Sequence, residues 1–275
     1  GCDSREIFSK FEISESPDFE KYRNKYNTIF LNMQEFLSRS DSVEALVDRV
    51  KKLVLRDLKR EYPDVDYFDD TDLVESMQDI YETEKCPFVV IIDEWDCIFR
   101  EFRQNKEAQE KYLDFLRDLL KDKACIHLAY MTGILPIKKY GTHSALNMFD
   151  EFSMINPGPL APYVGFTGVE VEYLCHKYRM DMEEVKAWYD GYGLCTHSRY
   201  GDQYYSMYSP KSVVEAMLRH KFGTYWNQTE TFEALQVYID MNFDGLKDDV
   251  LSMIAGERIP VNTGSFTNDM TTFRT

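Results

Sequence analysis

The stretch Phe88-Val89-Val90-Ile91-Ile92-Asp93-Glu94 sets two adjacent carboxylates directly behind five apolar residues. A run of that kind reads as a buried strand, and its end is where polar groups first reach the rim of a sheet. Carboxylates at such a rim suit phosphoryl transfer. Asp93 is placed to help hold Mg²⁺ against the phosphates of a nucleotide, and Glu94 to polarise an attacking water as a general base. Neighbouring strand residues point to opposite sides, so the two acids are expected to face different parts of one site. The plainer alternative is that both residues end a strand and cap the helix behind it.

A second strand end carries Thr132, followed by Gly133. Its hydroxyl suits a polar position that senses the γ-phosphate, although a Thr before a Gly also closes many ordinary strands. Lys138 and Lys139 follow; they could approach a phosphate or lie solvated. The phosphate cradle of such a site has the form G-x-x-x-x-G-K-[ST], whose backbone N–H groups and lysine bind the phosphates. The chain holds no such string, and Gly1 is the only glycine ahead of the first strand. The loop, with its strand and helix, is therefore expected upstream. A start at Gly1 rather than Met agrees with a fragment of a longer protein.

Three apolar runs must position these residues: Thr28–Met33, Phe88–Ile92 and Ile126–Thr132. Being apolar on both faces, they predict strands of a parallel sheet covered by helices on each side. Val43, Leu46, Val47, Val50, Val54 and Leu58 fall on one helical stripe after Ser42, a candidate N-cap. Tyr112, Phe115, Leu116 and Leu119 form another between the second and third strands. Strand–helix alternation of this order gives right-handed crossovers, and ligands bind beyond the carboxyl ends of the strands. Pro157, Pro159 and Pro162 then mark a connector. Helices are expected at Glu170–Lys177, Met182–Tyr189, Lys211–Leu218, Thr231–Met241 and Asp248–Ile254. The expected organisation is an α/β core over residues 1–156 and a mostly helical, lid-like domain over 157–275.

Composition narrows the function further. Hydrophobic residues make up 44% and aromatics 15%, enough for a real core and against disorder. A net charge of −16 argues against a broad nucleic-acid footprint, which needs clustered Lys and Arg. The six cysteines form no CxxC pair, and Cys175-His176 with Cys195 and His197 matches no zinc spacing. No membrane span or signal peptide is recognisable, so a reducing, cytoplasmic setting is expected.

The chain resembles a predicted AAA-ATPase-like family of bacterial proteins. The likeness rests on Asp3–Phe8, Ile91-Ile92-Asp93-Glu94-Trp95-Asp96 and Met131-Thr132-Gly133-Ile134-Leu135-Pro136-Ile137. It continues through Ser144–Phe149, Gly165–Thr167, Trp188–Tyr192 and Tyr238–Leu246. The resemblance implies a P-loop NTPase core of the AAA type followed by a helical lid, with ATP as ligand and Mg²⁺ as cofactor. It makes Asp93 and Glu94 the Walker B pair and Thr132 the sensor. It also implies a protein partner or a following PD-(D/E)xK nuclease-like domain. The family's R-P-R-R-F-G-K-[ST] loop is missing here, Trp95 stands where Tyr is usual, and these 275 residues contain no PD…(D/E)xK constellation. In this class the phosphate-loop strand pairs beside the sensor strand, so the edge His127–Met131 is expected to be open. Trp188, Tyr189, Tyr192, Tyr225 and Trp226 read as core packing or as surfaces that dock the lid.

Three functions compete at this stage. The first is an ATPase whose full-length form drives a partner or nuclease, this fragment being inactive alone. The second is a degenerate, non-catalytic interaction module that keeps the fold. The third, weaker one is a DNA-touching nuclease accessory.

Overall fold

The computed structural model describes residues 3–102, 105–134, 146, 148–153, 156–198, 201–225, 246–257 and 259. The chain divides into two compact units, residues 1–149 and 150–275.

The first unit opens with two short helices, α1 (Arg5–Phe8) and α2 (Phe19–Tyr22), and then alternates strand and helix. β1 (Asn27–Asn32) leads into α3 (Met33–Leu37), α4 (Val43–Glu61) and α5 (Leu73–Glu84). β2 (Phe88–Asp93) leads into α6 (Cys97–Glu101) and α7 (Lys106–Leu120), and β3 (Ile126–Met131) follows. The strands pair in parallel in the order β1-β2-β3, with Asn32 opposite Asp93 and Ile92 opposite Met131. A bulge between Phe88 and Val89 leaves His127 as the extra residue of β3, stacked on Tyr26 with ring centroids 4.4 Å apart.

The long helices follow from the apolar stripes and from their caps. The Ser42 hydroxyl accepts from Ala45 N at 3.1 Å and starts α4, and the Asp72 carboxylate accepts from Val74 N and Glu75 N to start α5. Met33, expected to end the first strand, instead opens α3. The Asn32 side chain accepts from Glu35 N at 3.0 Å and caps that helix, which ends the strand one residue early. Leu46, Val50, Met77, Ile80, Tyr112 and Leu116 form one core with Leu31, Phe88, Val90 and Ile92.

Among the described residues that core covers one face of the sheet, where helices were expected on both. The opposite face carries Phe30, Leu128 and Tyr130 at 62%, 52% and 48% exposure, with Val89 and Ile91 half-buried between them. A run apolar on both faces signals that both need cover, but the described residues supply cover for one. β3 is also a sheet edge, since no described residue pairs along its outer side.

The described residues of the second unit add an antiparallel sheet to the expected helices. A turn of 3₁₀ helix (Gly158–Tyr163) and β4 (Phe166–Thr167) lead into α8 (Gly168–Tyr178) and α9 (Met182–Tyr189). A long hairpin follows, β5 (Asp190–Ser198) and β6 (Gly201–Tyr208), then α10 (Pro210–Arg219) and α11 (Leu246–Ile254). The strands make an antiparallel sheet in the order β4-β6-β5. Most of β6 is exposed, so the hairpin lacks the one-sided apolar alternation that marks a strand in sequence. Thr167 and Glu170 form a reciprocal capping box at the start of α8, and Pro210 occupies the first turn of α10. Val171, Val185, Val213 and Met217 share one core with Tyr189, whose hydroxyl donates to Gly223 O at 3.1 Å. Tyr189 and Tyr225 are core residues, whereas Trp188 lies half-exposed against Phe222. The helix expected at Thr231–Met241, together with Trp226, Lys138 and Lys139, lies outside the described residues.

Candidate functional site

β1 and β2 end in register at Asn32 and Asp93, and Thr132 extends the ladder of β3 by donating its backbone N–H to Ile92 O at 2.9 Å. Strand alternation puts Asp93 on the same face as Val89 and Ile91. Thr132 is there too, because its hydroxyl donates to Asp93 Oδ1 at 2.5 Å. The acid and the hydroxyl, 39 residues apart, therefore share one hydrogen bond at the carboxyl rim of the open face. Asp93 Oδ1 also accepts from Glu94 N at 3.0 Å, while Oδ2 has no partner among the described residues.

Glu94 reaches the site by a different route from the one expected. Strand alternation would turn it to the helix-covered side with Ile92. Instead the strand stops at Asp93, and Glu94 adopts a left-handed backbone with φ +55°. A non-glycine residue there costs about 1 kcal/mol or more and persists only where its surroundings impose it. The turn is pinned behind it, where Trp95 N donates to Thr132 O at 3.1 Å. The Glu94 side chain is left 36% exposed and paired through Oε2 with Arg100 Nη2.

Arg100 and Asp96 belong to this site and were missed in the sequence. They lie four apart, Asp96 just ahead of α6 and Arg100 within it, the acid-before-base spacing that brings side chains together on a helix. That spacing was the available signal. The Asp96 side chain is fully buried; its Oδ2 lies 3.4 Å from Arg100 Nε and accepts from Ile134 N at 3.2 Å. One carboxylate thus joins α6 to the chain leaving β3. Gly133 makes this approach possible, since a Cβ there would sit 2.6 Å from both Asp96 Oδ1 and Trp95 Cδ1. Trp95 is buried against Phe99, with ring centroids 5.3 Å apart, and burial pushes the neighbouring Cys97 thiol up to about 12.

Among the described residues no group of three or more His, Cys, Asp or Glu side chains could hold a metal ion. Asp93 supplies a single hard carboxylate oxygen with its partner oxygen already engaged. That donor set fits Mg²⁺, which binds through one or two carboxylates, waters and substrate phosphates rather than an all-protein cage. Among the described residues, too, no helix is long and apolar enough to cross a membrane.

A parallel strand–helix unit of this kind is an α/β core, and sheets so built bind ligands beyond the carboxyl ends of their strands. Residues 2–142 match the family described as predicted AAA-ATPase, and the chain belongs to that family. It is also 26% identical over 149 residues to an uncharacterised protein encoded in the vnfD 5′ region of Azotobacter chroococcum mcd 1. That match takes in 52% of this chain and 27% of the relative, so the chain spans about a quarter of that protein. No solved structure matches the chain.

Proposed function

We propose that this chain supplies the metal- and water-handling side of an ATP-hydrolysing site in a longer protein, with the phosphate-binding loop contributed from outside these residues. One observation carries the reading. Asp93 and Thr132 meet in a single hydrogen bond at the carboxyl rim of a parallel sheet, with Glu94 turned out beside them. Family membership supports it.

Asp93 Oδ2 is the oxygen available to Mg²⁺, which when bound neutralises charge on the β- and γ-phosphates. Thr132 orients Asp93 and offers its hydroxyl to a γ-phosphate oxygen. In hydrolysis a water oxygen bonds to the γ-phosphorus, the bond from phosphorus to the bridging oxygen breaks, and ADP leaves with that electron pair. Glu94 takes the proton released by the water. The half-buried rim lowers the effective dielectric around these charges, which strengthens each contact. We propose further that the energy is delivered to a protein partner or a nuclease-like domain.

The test is calorimetry and turnover with the full-length protein. Mg-ATP should bind, Asp93→Ala should abolish the Mg²⁺ dependence of binding, and Glu94→Gln should keep binding while slowing hydrolysis by ~10²–10⁴-fold, the usual contribution of a positioned base. No affinity for nucleotide in the full-length protein would overturn the reading. A second reading, a nucleotide-indifferent interaction module, draws on the exposed Tyr173, Trp188 and Tyr204 of the second unit. It predicts a stable protein assembly that sizing measurements find unchanged by Mg-ATP.

A further inference from the structure

We infer that Arg100 is a positioning residue that holds the Glu94 carboxylate toward α6 until the site is loaded, and that Asp96 ties this hold to the exit of β3. The inference rests on the ATPase reading and deepens it. A general base must aim a carboxylate oxygen at the water whose proton it takes, and the Arg100 guanidinium fixes the aim of Glu94 by engaging Oε2. Neither partner is loosely placed. Arg100 is only 19% exposed and is anchored through Nε to the buried Asp96, while the left-handed backbone of Glu94 fixes where its side chain starts. Breaking the pair therefore requires a competing charge or a shift of its anchor.

The anchor is where nucleotide can be felt. Asp96 Oδ2 accepts from Ile134 N, two residues beyond Thr132, and Gly133 between them packs directly on Asp96 and Trp95. A Thr132 hydroxyl that leaves Asp93 for a phosphate oxygen pulls on this segment, and with it on the carboxylate that orients Arg100. The negative charge of the γ-phosphate competes for the same guanidinium. Both effects free Glu94 when substrate is present, and its absence keeps the base restrained.

The experiment measures kcat, KM and nucleotide affinity of the full-length protein carrying Arg100→Gln, Arg100→Lys, Glu94→Gln and the double variant R100Q/E94Q. Restraint predicts that R100Q raises basal kcat about fivefold, the scale of a half-exposed ion pair, with KM and calorimetric affinity unchanged. R100K should fall between wild type and R100Q, because it keeps the charge but loses the fork that engages Glu94 and Asp96 together. The double variant should be as slow as E94Q alone, since the gain from losing Arg100 acts through Glu94. A merely structural role would instead lower stability and affinity together without that dependence. Nucleotide binding with a fall or no change in kcat for R100Q would overturn the restraint and leave the ATPase reading standing. Absence of nucleotide binding in wild type would overturn both.

Discussion

Gly133 shows how a single residue can decide the geometry of a site. The chain leaving Thr132 runs so close to Asp96 and Trp95 that a methyl group has nowhere to go, because both neighbours are buried and Asp96 is held by Arg100 and Ile134 N. Overpacking of a fixed environment costs about 1–3 kcal/mol. Gly133→Ala is therefore expected to lower stability on that scale and to disturb the Asp96–Arg100 contact. Urea unfolding would show the loss as a lower midpoint with an unchanged slope. An unshifted midpoint would mean that the β3 exit yields freely, and would weaken its link to Arg100.

At the level of elements, the helices that support β2 are joined by charge as well as by apolar packing. Lys111 of α7 reaches Glu44 of α4 at 2.7 Å and Glu107 of its own helix at 2.9 Å. The hydrogen bond from Lys111 first, then those made near the start of α4, hold the Glu44 carboxyl down to about 2 from an ordinary value of 4.5. The Glu107 and Glu44 carboxylates raise Lys111 in turn. Because Glu44 has its lower pKa in the folded chain, its contribution is complete above pH 4.5 and is lost as pH falls through about 2. All three side chains are solvent-exposed, so the effect is small and screened by salt. Glu44→Gln is expected to lower the denaturation midpoint slightly at neutral pH. The gap from wild type should close below about pH 4 and shrink in high salt. A gap independent of pH would assign the loss to packing instead.

For the whole molecule, the arrangement of the cores predicts its melting behaviour. Among the described residues the large core draws on positions up to Phe149, while the two smaller ones draw on positions from Ala161 onward. Each unit thus has a core of its own and is expected to unfold cooperatively around it. Calorimetry of the 275-residue chain is expected to give two transitions, and residues 1–149 alone should reproduce one of them. A single transition with matching calorimetric and van't Hoff enthalpies would overturn this. The face with Phe30, Leu128 and Tyr130 and the outer edge of β3, which no described residue covers or pairs with, mark where the first unit is most prone to self-association.

Much of this architecture was legible in the residues themselves. The runs around Ile29, Val90 and Leu128 identified the strands because each concentrates apolar side chains in a short span. The stripe from Val43 to Leu58 and the cap at Ser42 placed α4 because helical spacing is local. Asp93, Glu94 and Thr132 were singled out by their position behind such runs, since a parallel sheet brings its strand ends to one rim. Other features depend on parts of the chain that meet only after folding. The hydrogen bond between Thr132 and Asp93 spans 39 residues. The left-handed turn that sends Glu94 toward Arg100 overrides strand alternation, and its cost is met by contacts from the β3 exit that no local pattern records. The hairpin from Asp190 to Tyr208 was hidden because exposed strands do not alternate. Periodicity reports burial along one segment; which segments meet, and which face is left open, is settled by packing.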